Sequence, residues 1–268
     1  MSSARGLADT QVLKFAGDLV KARRESRESR HQLAETNGQL ERYAADLRTT
    51  VANLRAAKNE VEDAYLDTIH RLVIAAEYKD RDTGNHISRI SACSGLLARR
   101  IDLDAATVKT LAYASPMHDI GKIGIPDRIL MKDGTLLPPE FELMKCHTVI
   151  GATILGGSKA SVLQAAEKIA LYHHERWDGT GYPQGLAGTQ IPLIARIVAL
   201  ADTFDALMSK RSYKEALSPA HSFDVLKRER GRHFDPALVD AFLEDIDEVL
   251  RVREECEEKE GRRLPALY

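Results

Sequence analysis

Apolar residues recur every seven positions through the first quarter of this chain, at Val12, Leu19, Leu33, Leu40, Leu47, Leu54 and Val61, with Ser26 in the gap. Three residues further on in each heptad stand Phe15, Ala22, Ser29, Thr36, Tyr43, Thr50, Ala57 and Ala64. A long helix with one narrow apolar stripe cannot bury that stripe on itself, so the repeat calls for a partner helix. A solvated charged helix is the blander alternative, but the strength of the first stripe favours a coiled coil. We expect residues 1–65 to form a parallel homodimer. Asn37-Gly38 argues locally for a break, since glycine costs about 1 kcal/mol inside a helix. Leu33 and Leu40 nevertheless keep phase across it, which predicts a weakened helix rather than a turn.

From Leu66 the apolar spacing changes to the 3.6-residue period of ordinary amphipathic helices. It predicts helices near 66–79, 86–101, 104–117, 138–156, 159–174, 191–210, 218–230 and 235–258. No convincing alternating strand is present, so the fold class is all-α. Asp104, Ser158, Ser218-Pro219 and Asp235-Pro236 match the chemistry of helix starts. Two long loops remain, 121–137 and 175–190, and each directly follows a histidine pair or a histidine–aspartate pair. Long loops inside a helical domain usually carry function. The acidic, then Glu- and Arg-rich stretch 244–263 reads as a solvated helix with no chemistry assigned.

Charged residues make up 29% of the chain and aromatics 6%, and the net charge is −2. That balance gives no overall attraction to a nucleic-acid polymer or a membrane; an anionic substrate would have to be drawn in locally. Cys93, Cys146 and Cys256 are too scattered for a disulfide framework. No apolar run approaches the roughly 18–20 residues that span a bilayer. The stretch from Leu7 to Val20 is broken by Asp9, Lys14 and Asp18, unlike a signal peptide. The expectation is a soluble cytoplasmic protein.

Histidines and carboxylates cluster between residues 82 and 202. His118-Asp119 ends an apolar helix and is followed by Gly121 and Lys122. Adjacent helical residues diverge by about 100°, so both can ligate only where the helix end itself faces an ion. Gly121 would let backbone pass close by, and Lys122 can point along the face of His118. An aspartate capping a helix beside a chance histidine is the structural alternative. His173-His174 ends another apolar helix, and two consecutive imidazoles suit two neighbouring ions better than one. Alone, His147 would more often be a satisfied core histidine; beside these clusters it becomes a candidate ligand. Cys146, rotated away from it, is read as packing. Asp202 sits on the apolar helix Ile194–Ala201, where a carboxylate must be paired or metal-bound. Asp82 could simply cap the helix that follows, or could join His86 in a third metal position. Oxygen ligands among imidazoles without thiolates suit Fe or Mn better than structural Zn.

These residues resemble a known family. His118-Asp119 with Gly121-Lys122 is similar to the HD superfamily of metal-dependent phosphohydrolases. His173-His174-Glu175 through Asp178-Gly179 to Gly181-Tyr182-Pro183 resembles its HD-GYP subgroup of bacterial cyclic di-GMP phosphodiesterases. The resemblance covers about residues 66–245. It includes Ile125-Pro126-Asp127, Lys145 and His147, Asp202 to Leu207, Arg211 to Lys214, and His233 to Pro236.

It implies an HD-type helical bundle at 66–245, preceded by the coiled coil at 1–65 and followed by a charged C-terminal helix and tail at 246–268. It further implies two or three divalent ions, Fe or Mn. His118, Asp119, His147, His173, His174 and Asp202 would hold two, with Asp119 bridging, and Asp82 with His86 a third. Asp82 stands where the family often has Glu. Lys122 would contact phosphate, Arg211 and Lys214 phosphate or guanine, and Tyr182 would shape the pocket. The implied catalytic residues are Asp119 and Lys122, and the implied substrate is cyclic di-GMP, cleaved to pGpG or GMP. A non-hydrolysing cyclic di-GMP effector and an HD-type hydrolase of another nucleotide are the alternatives. An upstream signalling protein or a diguanylate cyclase is the expected protein partner.

Overall fold

The computed structural model describes the backbone of residues 2–77, 79, 85–209 and 216–261, and side chains within those ranges from Leu13 to Cys256. Helix α1 runs over Ser2–Glu77 without interruption at Asn37-Gly38, as the phase of Leu33 and Leu40 predicts. The chain divides into two compact units, residues 1–65 and 66–268. Within the first, Leu19, Leu33, Leu40, Leu47, Leu54 and Val61 are all exposed.

The second unit is built from the end of α1 and the helices α2 (Asn85–Arg100), α3 (Ala105–Ala114), α4 (Asp127–Leu130), α5 (Pro138–Lys145), α6 (His147–Leu155), α7 (Ser161–Tyr172), α8 (Leu193–Met208), α9 (Pro219–Arg228), α10 (Pro236–Leu243) and α11 (Ile246–Gly261). Among the described residues there is no strand, only two isolated β-bridges, Asp178 with Ala187 and Arg230 with Phe234. The fold is all-α, as expected. Its core joins Val73, Ile87, Ile90, Leu97, Leu111, Ile169, Leu200, Phe204, Phe242 and Val249, and α2 lies at its centre against α3, α8 and α11.

Helix starts follow side-chain chemistry. Asp104 accepts hydrogen bonds from the backbone nitrogens of Ala106 and Thr107, Ser218 from His221, and Asp235 from Ala237. Ser158 does not cap α7. It accepts from the nitrogen of Ala160, and Ala160 holds the cap position without a side-chain bond.

Three single helices in the sequence reading are broken in the structure. The one expected at 104–117 tightens into a 3₁₀ turn at Ser115–Met117, because Pro116 has no N–H for the α-helical ladder. The one expected at 138–156 breaks at Cys146, which closes α5 and opens α6. The one expected at 235–258 divides into α10 and α11. The stretch 244–263 is not simply a solvated helix, since Val249 and Arg253 on α11 are buried. The periodicity of so charged a helix hid its narrow inner face.

Candidate metal centre

The metal-ligating side chains sit at helix ends, and this resolves the difficulty posed by adjacent ligand pairs. His118 caps the Ser115–Met117 turn, and Asp119 then leaves helical geometry at φ −102°, ψ 7°, so the two side chains turn inward together. His173 caps α7, and His174 lies beyond it. His147 opens α6 just after the break at Cys146.

Each of these ends orients an imidazole in the same way. The Nδ1 of His118 faces the carbonyl of Ser115 at 3.0 Å, that of His147 faces Met144 at 2.7 Å, and that of His173 faces Ile169 at 3.0 Å. A carbonyl can only accept, so each Nδ1 carries the proton and each Nε2 presents a lone pair inward. His86 does the same with a carboxylate, its Nδ1 donating to Asp205 Oδ2 at 2.8 Å.

The inward atoms form two groups, each with its ligand atoms within 4.8 Å of one another: Asp119, His147, His173 and His174, and His86, His118 and Asp202. Asp119 touches both. Its Oδ1 lies 3.3 Å from His147 Nε2 and 3.6 Å from His173 Nε2, while its Oδ2 lies 3.3 Å from His118 Nε2. Asp202 Oδ1 lies 3.6 Å from His86 Nε2 and 3.8 Å from His118 Nε2.

This donor set fits divalent cations. The Nε2 atoms of His147 and His173 are 3.5 Å apart, two acceptors facing each other with nothing to share unless a cation lies nearby. Asp119 Oδ1 is buried and accepts no hydrogen bond. Burial pushes the His147 imidazole down to about 4, helped by the neighbouring His173, and holds His174 well below its ordinary range for the same reasons. Neutral imidazoles are the form that ligates. Burial alone would raise the Asp119 carboxyl, but the Lys122 ammonium beside it holds it well below the usual carboxylate range.

Around the metal groups, Lys122 Nζ lies 2.8 Å from Asp119 Oδ2. Tyr182 stacks on His174 with ring centroids 4.8 Å apart, and Lys145 lies 5.5 Å above the Tyr182 ring. The loop 175–190 that delivers Tyr182 folds around the buried Glu175, whose carboxylate accepts from the backbone nitrogens of Gln184 and Leu186. A Cβ on Gly181 would lie 2.3 Å from the nitrogen of Arg176, so only glycine allows this loop to close. Asp82, Arg211 and Lys214 lie outside the described residues.

Several contributors had no role in the sequence reading. Phe141 approaches Tyr182 edge-on, Glu175 anchors the loop, and Asp205 holds His86. Asp205 was open to the argument that singled out Asp202, for it stands on the same apolar helix one turn on.

An all-α domain whose helix ends direct imidazoles and carboxylates at one buried point defines a candidate centre for divalent metal ions. The chain belongs to the HD domain family, of the HD-GYP type: the family model described as an HD domain matches residues 72–238. It is 48% identical over 190 residues to the cyclic di-GMP phosphodiesterase response regulator RpfG of Xanthomonas campestris, covering 71% of this chain and 50% of that protein. It is 44% identical over 193 residues to a cyclic di-GMP phosphodiesterase of Thermotoga maritima, covering 72% and 52%. The chain thus spans about half the length of these curated relatives. Its fold is similar to that of a cyclic GMP-AMP specific phosphodiesterase from V. cholerae, with a TM-score of 0.53, 18% identity, and 72% of this chain and 53% of that one covered.

Proposed function

We propose that this protein is a metal-dependent phosphodiesterase that opens cyclic di-GMP to pGpG, GMP or both. The observation that carries the reading is the pair of ligand groups meeting at Asp119, in a chain 48% identical to a cyclic di-GMP phosphodiesterase. Asp119, His147, His173 and His174 would hold one divalent ion, and His86, His118 and Asp202 another, with Asp119 shared between them; Asp82, with His86, would serve a third. Fe or Mn suits this mixture of imidazole and carboxylate. Such ions supply Lewis acidity and make hydroxide available near neutral pH.

The chain's own residues do the rest. Asp119, ionised and partly buried, keeps the two ligand groups in register. Lys122 is placed to offset charge on the non-bridging oxygens of the phosphate under attack. Tyr182, backed by Phe141 and Lys145, forms a wall against which a guanine can lie, and Arg211 and Lys214 supply the local positive charge that a net −2 does not. Residues 1–65 would pair two copies in parallel. A cytoplasmic location fits the scattered thiols, and an upstream signalling protein or diguanylate cyclase is the fitting partner.

The test is product chromatography on protein purified without oxygen and loaded with Fe or Mn, given cyclic di-GMP alongside 3′3′-cGAMP. Turnover of cyclic di-GMP that chelation abolishes is expected. Undiminished turnover after chelation, or in a His118→Ala/Asp119→Ala double variant, refutes the reading.

A further inference from the structure

Asp205 is 1% exposed and receives two guanidinium groups as well as an imidazole. Arg89, on α2, forks onto it with Nε 2.5 Å from Oδ1 and Nη2 2.9 Å from Oδ2. Arg253, on α11, donates through Nη1 to the same Oδ1. Its Nη2 reaches the carbonyl of Met208 at 3.3 Å and the hydroxyl of Ser209 at 3.4 Å. The remaining lone pairs of Oδ2 take the His86 Nδ1 proton at 2.8 Å, so one carboxylate ties α2, α8 and α11 to a single imidazole. Arg253 is itself 7% exposed, and α11 lies beyond the segment 72–238 that matches the HD domain model.

A bidentate Arg89 alone would neutralise Asp205. The second buried guanidinium, on α11, adds a further donor to the same carboxylate and joins a third helix to it. Its effect falls on His86. The carboxylate can rotate neither away from the imidazole nor toward solvent, so the Nδ1–H tautomer and the direction of the Nε2 lone pair, toward Asp202 and His118, are fixed. The two donating guanidiniums also draw electron density from Asp205 and moderate how far it polarises the imidazole.

We infer that α11 is a working part of the metal centre: Arg253, together with Arg89, clamps Asp205 so that Asp205 positions His86 for the ion held by His86, His118 and Asp202. Both arginines and Asp205 are positioning residues, acting only through His86. The inference rests on the proposed reading of His86 as a ligand.

The experiment uses the full chain, stripped of metal and titrated with Mn(II) alone, reading the number of ions bound and the affinity of each. His86→Ala is expected to lose one equivalent. Arg253→Met is expected to weaken that same equivalent about 10-fold or more, as loss of a group that orients a ligating imidazole does, and to leave the ion held by Asp119, His147, His173 and His174 unchanged. Asp205→Asn, equal in size, should reproduce the loss if Arg253→Met does not fold. Val249→Ala loosens the packing of α11 but keeps the guanidinium, and should bind every ion as the wild type does. Wild-type affinity in Arg253→Met or Asp205→Asn overturns the inference, as does equal weakening in Val249→Ala. If His86→Ala keeps every equivalent, it is the assignment of His86 that fails, a distinguishable result.

Discussion

A Cβ placed on Gly121 would lie 1.9 Å from the carbonyl oxygen of His147 and 2.5 Å from the nitrogen of Gly151. The turn carrying the His118-Asp119 pair thus lies directly on the first turn of α6, backbone against backbone. Gly121→Ala must push the two apart and with them Asp119 and His147. A loss of about 1–3 kcal/mol in stability is expected, the usual range for overpacking. Urea unfolding of the metal-free protein measures it.

Because Asp119 touches both ligand groups, Asp119→Ala should lower the content of both ions. His174→Ala, on one side only, should lower the content of one. Elemental analysis after gel filtration separates the two patterns. Equal losses in the two variants would contradict the shared position of Asp119.

Lys122→Met removes a cation without touching an imidazole. If Lys122 offsets charge that develops on phosphate oxygens, kcat should fall about 10²–10³-fold, comparable to loss of one oxyanion-hole donor. Bound metal should be unchanged. A rise in KM with kcat intact would assign Lys122 to ground-state binding instead.

Stability of the metal-free protein should decline as pH falls from about 6.5 to about 4. Both His147 and His233 are pushed down to about 4, chiefly by burial, from an ordinary 6.5. The unfolded chain therefore takes up their protons first, and the folded state loses ground across that window. His86 works in the opposite direction, since Asp205 and Asp202 raise it against its burial. Thermal melts across this range should show a shallower slope in His233→Asn, which leaves the metal centre alone.

The exposed stripe on α1 should pair two copies. Light scattering is expected to give twice 29.7 kDa for the wild type and a monomer for Leu40→Glu/Leu47→Glu, because two charges in the seam cannot be buried without partners. A monomeric wild type would refute the pairing.

The helical class was legible in the spacing of apolar residues, and the centre in its unusual pairs. His118-Asp119 and His173-His174 made little sense as helical neighbours and good sense at helix ends. Where helices stop was harder to read. Pro116 stands inside the helix expected at 104–117 and marks where it tightens into the 3₁₀ turn, whereas no proline or glycine marks the break at Cys146. Arg253 was hidden for a similar reason. In a helix so rich in charged side chains, nothing in the spacing sets one inward-turned arginine apart, and only the fold brings it to Asp205.

The short Nδ1 bonds of His118, His147 and His173 reach back just three or four residues. Each ring therefore loses its rotational freedom when its own helix end forms, before the three segments meet. An arriving ion has little side-chain motion left to freeze, so the entropy that ordering would otherwise cost is already spent, and more of each new bond is expressed as affinity.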